Sequence, residues 1–348
     1  MKKHRLLAVI LALMSISVGC SSNKAGSSTG EIQKNREETY GDTEKVTERN
    51  NEMVTKAALP KELVQIPEEY FEESKYPGTL VELEYDTYES MTYEEQKQVL
   101  HKRAIIYLPY GYSEEERYPV CYLMHGGWSD ETTYLGTPDR PAEFKNVLDH
   151  GMADGEIQPM IVVCPTYNNT SPEDSGNYSL AIRLTENYHR ELVGDLIPAV
   201  ESTYSTYAED TTAEGIGASR DHRAFAGFSM GSVATWRTFQ YCLDEFRYFM
   251  PSSGNLTLDG EYMASMVKDS GHTWKDFFIF AASGTNDFAY SSFEYQIEAM
   301  AAVNDGTFRY ADNERDGNLY FLEQEGGTHS GEYAMEYFYN GLRWIWQS

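Results

Sequence analysis

A serine framed by two glycines, Gly227-Phe228-Ser229-Met230-Gly231, is the stretch of this 348-residue chain best suited to covalent chemistry. Ala224-Phe225-Ala226 before it has the character of a short buried strand. Residues 232–243 after it carry apolar side chains at Val233, Trp236, Phe239 and Tyr241, as a helix would. The serine then occupies the tight turn between strand and helix. Such a turn strains the backbone and brings neighbouring chains close, so a Cβ at either glycine would collide. The hydroxyl is expected to stand clear of the sheet, with the Met230 N–H aimed at an incoming carbonyl oxygen. A structural turn with a capping serine has the same local appearance, so the chemistry depends on partners elsewhere in the chain.

Those partners occur in the order that a Ser-Asp-His hydrolase requires. Upstream, the apolar run 118–124 leads into His125-Gly126-Gly127-Trp128, a loop suited to presenting a second backbone N–H to a tetrahedral oxyanion. Gly127 and Trp128 are the candidate donors beside Met230, and His125 is expected to pack the loop. Downstream, the apolar run 276–282 leads into Ser283-Gly284-Thr285-Asn286-Asp287. Asp287, on the loop leaving that strand, is the candidate acid, although an aspartate there could also cap the following helix. The last strand candidate, 318–323, leads to Gly326-Gly327-Thr328-His329, which places His329 on a glycine-bounded loop as the candidate base. The other seven histidines fall in the N-terminal tail, in helices or at strands, where a lone imidazole is ordinarily a surface or core polar group.

Taken with residues 105–112, Ile161-Val162-Val163 and Glu201-Ser202-Thr203-Tyr204, these motifs resemble the feruloyl esterase modules of bacterial xylanases, in the first carbohydrate esterase family (the esterase D-like group). The resemblance runs from about Tyr76 to Trp346. It implies an α/β-hydrolase fold, the triad Ser229, Asp287 and His329, no cofactor, and hydroxycinnamoyl esters of xylan or arabinoxylan as substrate. Acetyl xylan esterases and other acyl esterases or transferases share this framework, and a non-catalytic polysaccharide-binding surface lipoprotein is the remaining alternative. Ser232 stands where the family commonly has a third glycine, one turn into the helix, with little expected effect on the chemistry.

The element pattern agrees with that fold class. Strand candidates at 80–85, 102–108, 120–125, 160–164, 224–228, 248–251, 277–282 and 319–322 alternate with helical stretches at 142–152, 186–204, 232–243, 262–268, 293–303 and 332–346. The first two strands alternate apolar and polar residues, as in an antiparallel edge, and the others are continuous apolar runs typical of parallel strands. A mostly parallel central sheet with helices on both faces is expected.

Residues 1–20 read as a lipoprotein-type export signal: Lys2, Lys3, His4 and Arg5, a short apolar stretch, then Gly19-Cys20. Cys20 is the expected lipidation site, which would hold the protein at the outer face of a bacterial cell membrane; without lipidation it is secreted. Residues 21–75 read as a polar tether too poor in apolar side chains to fold, and 76–348 as the esterase domain. Cys121, Cys164 and Cys242 read as small core residues, and no spacing resembles a metal site. A net charge of −27 excludes nucleic acid and anionic lipid surfaces as natural ligands but suits neutral polysaccharide. Of the 27 tyrosines and five tryptophans, most are expected to fill the core or coat the surface; Trp128 and Tyr290, beside the oxyanion and acid loops, are the candidate substrate-binding walls.

Overall fold

The computed structural model describes residues 57–347. Eight strands form one sheet in the order β1-β2-β6-β3-β7-β8-β9-β10. They are β1 (Thr79–Tyr88), β2 (Val99–Leu108), β3 (Val120–Met124), β6 (Ile161–Cys164), β7 (Arg223–Phe228), β8 (Tyr248–Ser252), β9 (Phe278–Gly284) and β10 (Leu319–Gln324). A two-residue hairpin, β4 (Gly136–Thr137) with β5 (Arg140–Pro141), stands apart. Within the eight-stranded sheet, β2 runs antiparallel to both β1 and β6, and the other pairings are parallel.

Two cores explain why the central strands are apolar without interruption. Tyr122 and Phe225 point into one core, while Cys121, Leu123, Ala224 and Ala226 point into the other. Neither side of these central strands faces water, so no polar alternation survives in them. The first core is covered by α2 (Tyr178–Glu191), α5 (Met230–Tyr241), α6 (Gly260–Ser270) and α7 (Tyr290–Ala301). The second is covered by α1 (Glu143–Ala153) and α8 (Gly331–Trp344). Two short helices, α3 (Ile197–Thr203) and α4 (Ala213–Ala218), complete the set.

Three expectations are corrected. The helix expected at 186–204 starts earlier, because the Asn177 side chain accepts the Leu180 N–H and caps α2, and a π-helical turn over Leu192–Leu196 separates α2 from α3. Strand β2 is not an alternating edge: β1 lies outside it, and from Ala104 onward its side chains alternate between the two cores, so every one is buried. The packed part also begins before Tyr76. Leu59, Ile66 and Tyr70 are buried in the second core, and Val64 exchanges two hydrogen bonds with the Asn340 amide of α8. Low average hydrophobicity hid this strap, since three anchors suffice once α1 and α8 supply the sockets. The signal, Cys20 and the tether as far as residue 56 lie outside the described residues. No helix among the described residues is long and apolar enough to cross a membrane.

Candidate active site

Ser229 is the first residue after β7 and directly precedes α5, with φ 59° and ψ −118°. A non-glycine residue held there stores strain of about 1–3 kcal/mol, which the surrounding contacts must offset. The Ser229 N–H donates to the Ser252 carbonyl at 2.9 Å, and the Ser229 carbonyl accepts the Ser232 and Val233 N–H groups. The flanking glycines are sterically required. A Cβ on Gly227 would lie 2.3 Å from the Gly231 carbonyl oxygen, and one on Gly231 would lie 2.3 Å from that of Met124.

His329 reaches this serine from the loop after β10. Its Nε2 accepts the Ser229 hydroxyl at 2.8 Å, and its Nδ1–H donates to Asp287, with both carboxylate oxygens at 2.8 Å. The Asp287 side chain is fully buried and also accepts the Ala289 N–H, whereas the imidazole keeps a partly exposed edge. Two more glycines set this register. Gly284 and Gly327 pack backbone against backbone, so that a Cβ on Gly284 would meet the Gly327 carbonyl at 2.3 Å, and the Asn286 N–H donates to that same carbonyl. The structure therefore brings together the three residues singled out from the sequence.

The oxyanion side is built around one peptide plane. The Gly126 carbonyl accepts the Nδ1–H of His125 at 2.7 Å and the Tyr167 hydroxyl at 2.8 Å. In a trans peptide the next N–H points the opposite way, so this anchoring aims the Gly127 N–H away from the core. A Cβ on Gly126 would lie 3.5 Å from the Ser229 Cβ, which puts that plane beside the nucleophile. Neither the Gly127 nor the Met230 N–H has a hydrogen-bond partner among the described residues. Trp128 is corrected as a donor, because its N–H donates to the Ser175 carbonyl at 3.1 Å.

His125 is confined to packing. It is buried and stacks on Tyr167, and its Nε2 accepts the Thr166 hydroxyl at 2.7 Å. Burial pushes its pKa down to about 4, so the imidazole is neutral at ordinary pH and keeps the Nδ1–H that holds Gly126.

Of the two expected substrate walls, Trp128 directly follows the Gly127 donor and is 77% exposed, with its indole over Gly176. Tyr290 is not placed there. Its hydroxyl donates to Glu294 and Glu323, which commits it to the outer face of α7 and β10. The aromatic beside the base is Phe288, 83% exposed with its ring centroid 4.2 Å from that of His329, while Phe228 contacts the imidazole at 4.5 Å. Its position directly after the acid was the available signal. Ser232 is more than a tolerated substitution: its buried hydroxyl donates to the Gly254 carbonyl at 2.6 Å, beside the Trp236 indole N–H. Cys121, Cys164 and Cys242 are free and buried, and no cluster of metal-ligating side chains occurs among the described residues.

Comparison with known proteins gives this geometry a family. Residues 101–283, more than half of the chain, match the family model described as "Putative esterase". Over 243 residues the chain is 41% identical to endo-1,4-beta-xylanase Y of Acetivibrio thermocellus, covering 68% of this chain and 21% of that protein. Over 173 residues it is 33% identical to an endo-1,4-beta-xylanase/feruloyl esterase of Xylanibacter ruminicola, covering 48% of this chain and 20% of that one. The chain thus spans about a fifth of the length of these relatives. Among solved structures it is similar to the feruloyl esterase module from Clostridium thermocellum complexed with sinapinate, with a TM-score of 0.71 and 35% identity, covering 83% of this chain and 95% of that one. The α/β-hydrolase sheet, the strained serine and these matches show that the chain belongs to this esterase family, in the carbohydrate esterase group that includes feruloyl esterase modules.

Proposed function

We propose that the protein is a serine esterase that releases hydroxycinnamic acids from their esters on plant xylan or arabinoxylan. The observation that carries this reading is the unbroken relay from the Ser229 hydroxyl through His329 to buried Asp287, with 2.8 Å at each contact. His329 takes the hydroxyl proton as Ser229 Oγ attacks the ester carbonyl, and Asp287 stabilises the imidazolium that results. The Met230 and Gly127 N–H groups receive the oxyanion; losing one such donor typically costs about a hundredfold or more in rate. The imidazolium then protonates the departing sugar oxygen, leaving an acyl-enzyme. Water, deprotonated by His329, attacks the acyl carbonyl, and Ser229 regains its proton as the acid leaves.

The hydroxycinnamoyl preference is supported by the feruloyl esterase relatives and by two exposed aromatics, Trp128 and Phe288, beside the reacting groups. On the chain's N-terminal sequence, the enzyme is exported and anchored through a lipid on Cys20. The test is release of ferulate, alongside acetate, from feruloylated arabinoxylan oligosaccharides and acetyl-xylan, by the wild-type protein and its Ser229→Ala variant. Ferulate release that disappears with the serine is expected. Acetate alone would move the substrate to acetylated glycans, and silence on both would favour a binding protein.

A further inference from the structure

A groove of about 840 Å³ lies along the outer strands β1 and β2, under the loop that follows β6. That volume is within the ~300–1,000 Å³ range of clefts that hold small ligands. Its floor is the polar face of the β1–β2 ribbon, where Glu84 lies opposite Arg103 and Asp86 opposite His101. Arg103 is oriented by Glu131, which accepts its Nε–H at 2.8 Å, and by Glu82, which accepts from Nη1 at 2.9 Å. Thr170 is exposed on the opposite wall. Exposed carboxylate acceptors beside the Arg103 guanidinium and the His101 imidazole form an array matched to hydroxyl groups, which both donate and accept. In a chain of net charge −27 it offers nothing to a polyanion.

The groove also shares the catalytic edge of the sheet. Strand β2 is antiparallel to β6 with Ile105 opposite Cys164, so Arg103 and His101 extend past the carboxyl end of β6, on the edge where β7 delivers Ser229. Strands β6 and β3 lie between β2 and β7, which sets the groove ~14 Å from the nucleophile at the usual strand spacing. The intervening wall is the oxyanion loop itself: Glu131 lines the groove, the Asn168 amide donates to the Ser129 carbonyl, and Thr166 donates to His125.

We propose that this groove binds the neutral glycan chain of the substrate, a few sugar units away from the esterified one. The inference rests on the esterase reading and extends it: the acyl group meets the aromatics at His329, and the sugar backbone runs from Ser229 past the oxyanion loop onto the β1–β2 face.

The test uses the full chain carrying Ser229→Ala, titrated calorimetrically with short unesterified neutral xylo-oligosaccharides. Saturable binding is expected. It should weaken roughly tenfold or more in Glu84→Ala/Asp86→Ala, which removes exposed acceptors, and in Thr170→Trp, which fills the groove from the other wall. Uronic-acid-bearing oligosaccharides are expected to bind more weakly. Absence of saturable binding, or binding that both groove variants retain within about twofold, overturns the proposal, and tighter binding of the acidic oligosaccharides overturns the neutral-ligand assignment. Hydrolysis of a simple methyl hydroxycinnamate by the wild-type protein is measured in parallel. That ester has no sugar chain, so its turnover tests the esterase reading independently of the groove.

Discussion

Strand β7 begins at a buried ion pair and ends at a strained serine. At its amino end Arg223 and Glu201, each with a side chain only 1% exposed, meet at 2.6 Å, and the guanidinium also donates to the Ile216 and Glu245 carbonyls and to the Ser219 hydroxyl. Neighbouring β8 starts the same way, with Arg247 held by Glu314 and Asp221. Around the carboxyl end of β7 stand the buried Asp287 carboxylate, a neutral His125, and glycines whose missing side chains let backbones touch. One end of β7 is fixed by matched charge. The other is shaped by steric exclusion, which leaves the field around Ser229 free for charge that appears only in the transition state.

The contrast breaks most sharply under substitution. Ser229→Ala should lower kcat by about 10⁴- to 10⁶-fold with an unchanged urea unfolding midpoint, and Asp287→Asn by about 10⁴-fold. Arg223→Ala should do the reverse. Leaving Glu201 buried and unpaired should cost about 3–5 kcal/mol of stability, read by denaturant unfolding, while kcat of the folded fraction stays near wild type. An Arg223→Ala enzyme of full stability and impaired turnover would erase the distinction between the two ends.

Acid should act on both ends, through one buried imidazole at each, His125 beside the site and His222 directly before Arg223. With His125 held at a pKa of about 4 when folded and ordinarily near 6.5 when unfolded, its stabilising contribution is complete above pH 6.5. It fades as pH falls toward 4, by about 3 kcal/mol. His222, also lowered to about 4 by burial, adds to the same window. Unfolding free energies measured between pH 7 and 4 should show this slope, flattened but not abolished in His125→Gln. The smallest expected effect is at Phe288. Phe288→Ala removes an exposed ring, so stability should be unchanged, while kcat/KM for a hydroxycinnamoyl ester should fall about tenfold relative to an acetyl ester.

Legibility followed the range of the interactions. The elbow, its glycines, and the strand-then-loop settings of Asp287 and His329 are local patterns, and all were readable along the chain. The identity of the second oxyanion donor was not. It is decided by Tyr167, His125 and Ser175, which fix the Gly126 and Trp128 peptide groups from separate segments. Tyr290 misled for a related reason, since nothing local foretold that Glu323, on another strand, would take its hydroxyl. The strap before Tyr76 was invisible because Leu59, Ile66 and Tyr70 form no periodic pattern, and their sockets belong to helices far along the chain.

That strap also fixes where the described chain begins relative to the site. The carbonyl of Ala57 accepts the Trp344 indole N–H, and Trp344 packs on Phe278 at the start of β9. Helix α8 starts two residues after His329, and its 14 residues carry the chain ~21 Å from the imidazole before reaching Trp344. The described chain therefore begins against the end of α8 remote from His329, beside the amino end of β9. Ala57 and the reacting groups are thus held at opposite ends of α8, so the strap takes no part in the approach to His329.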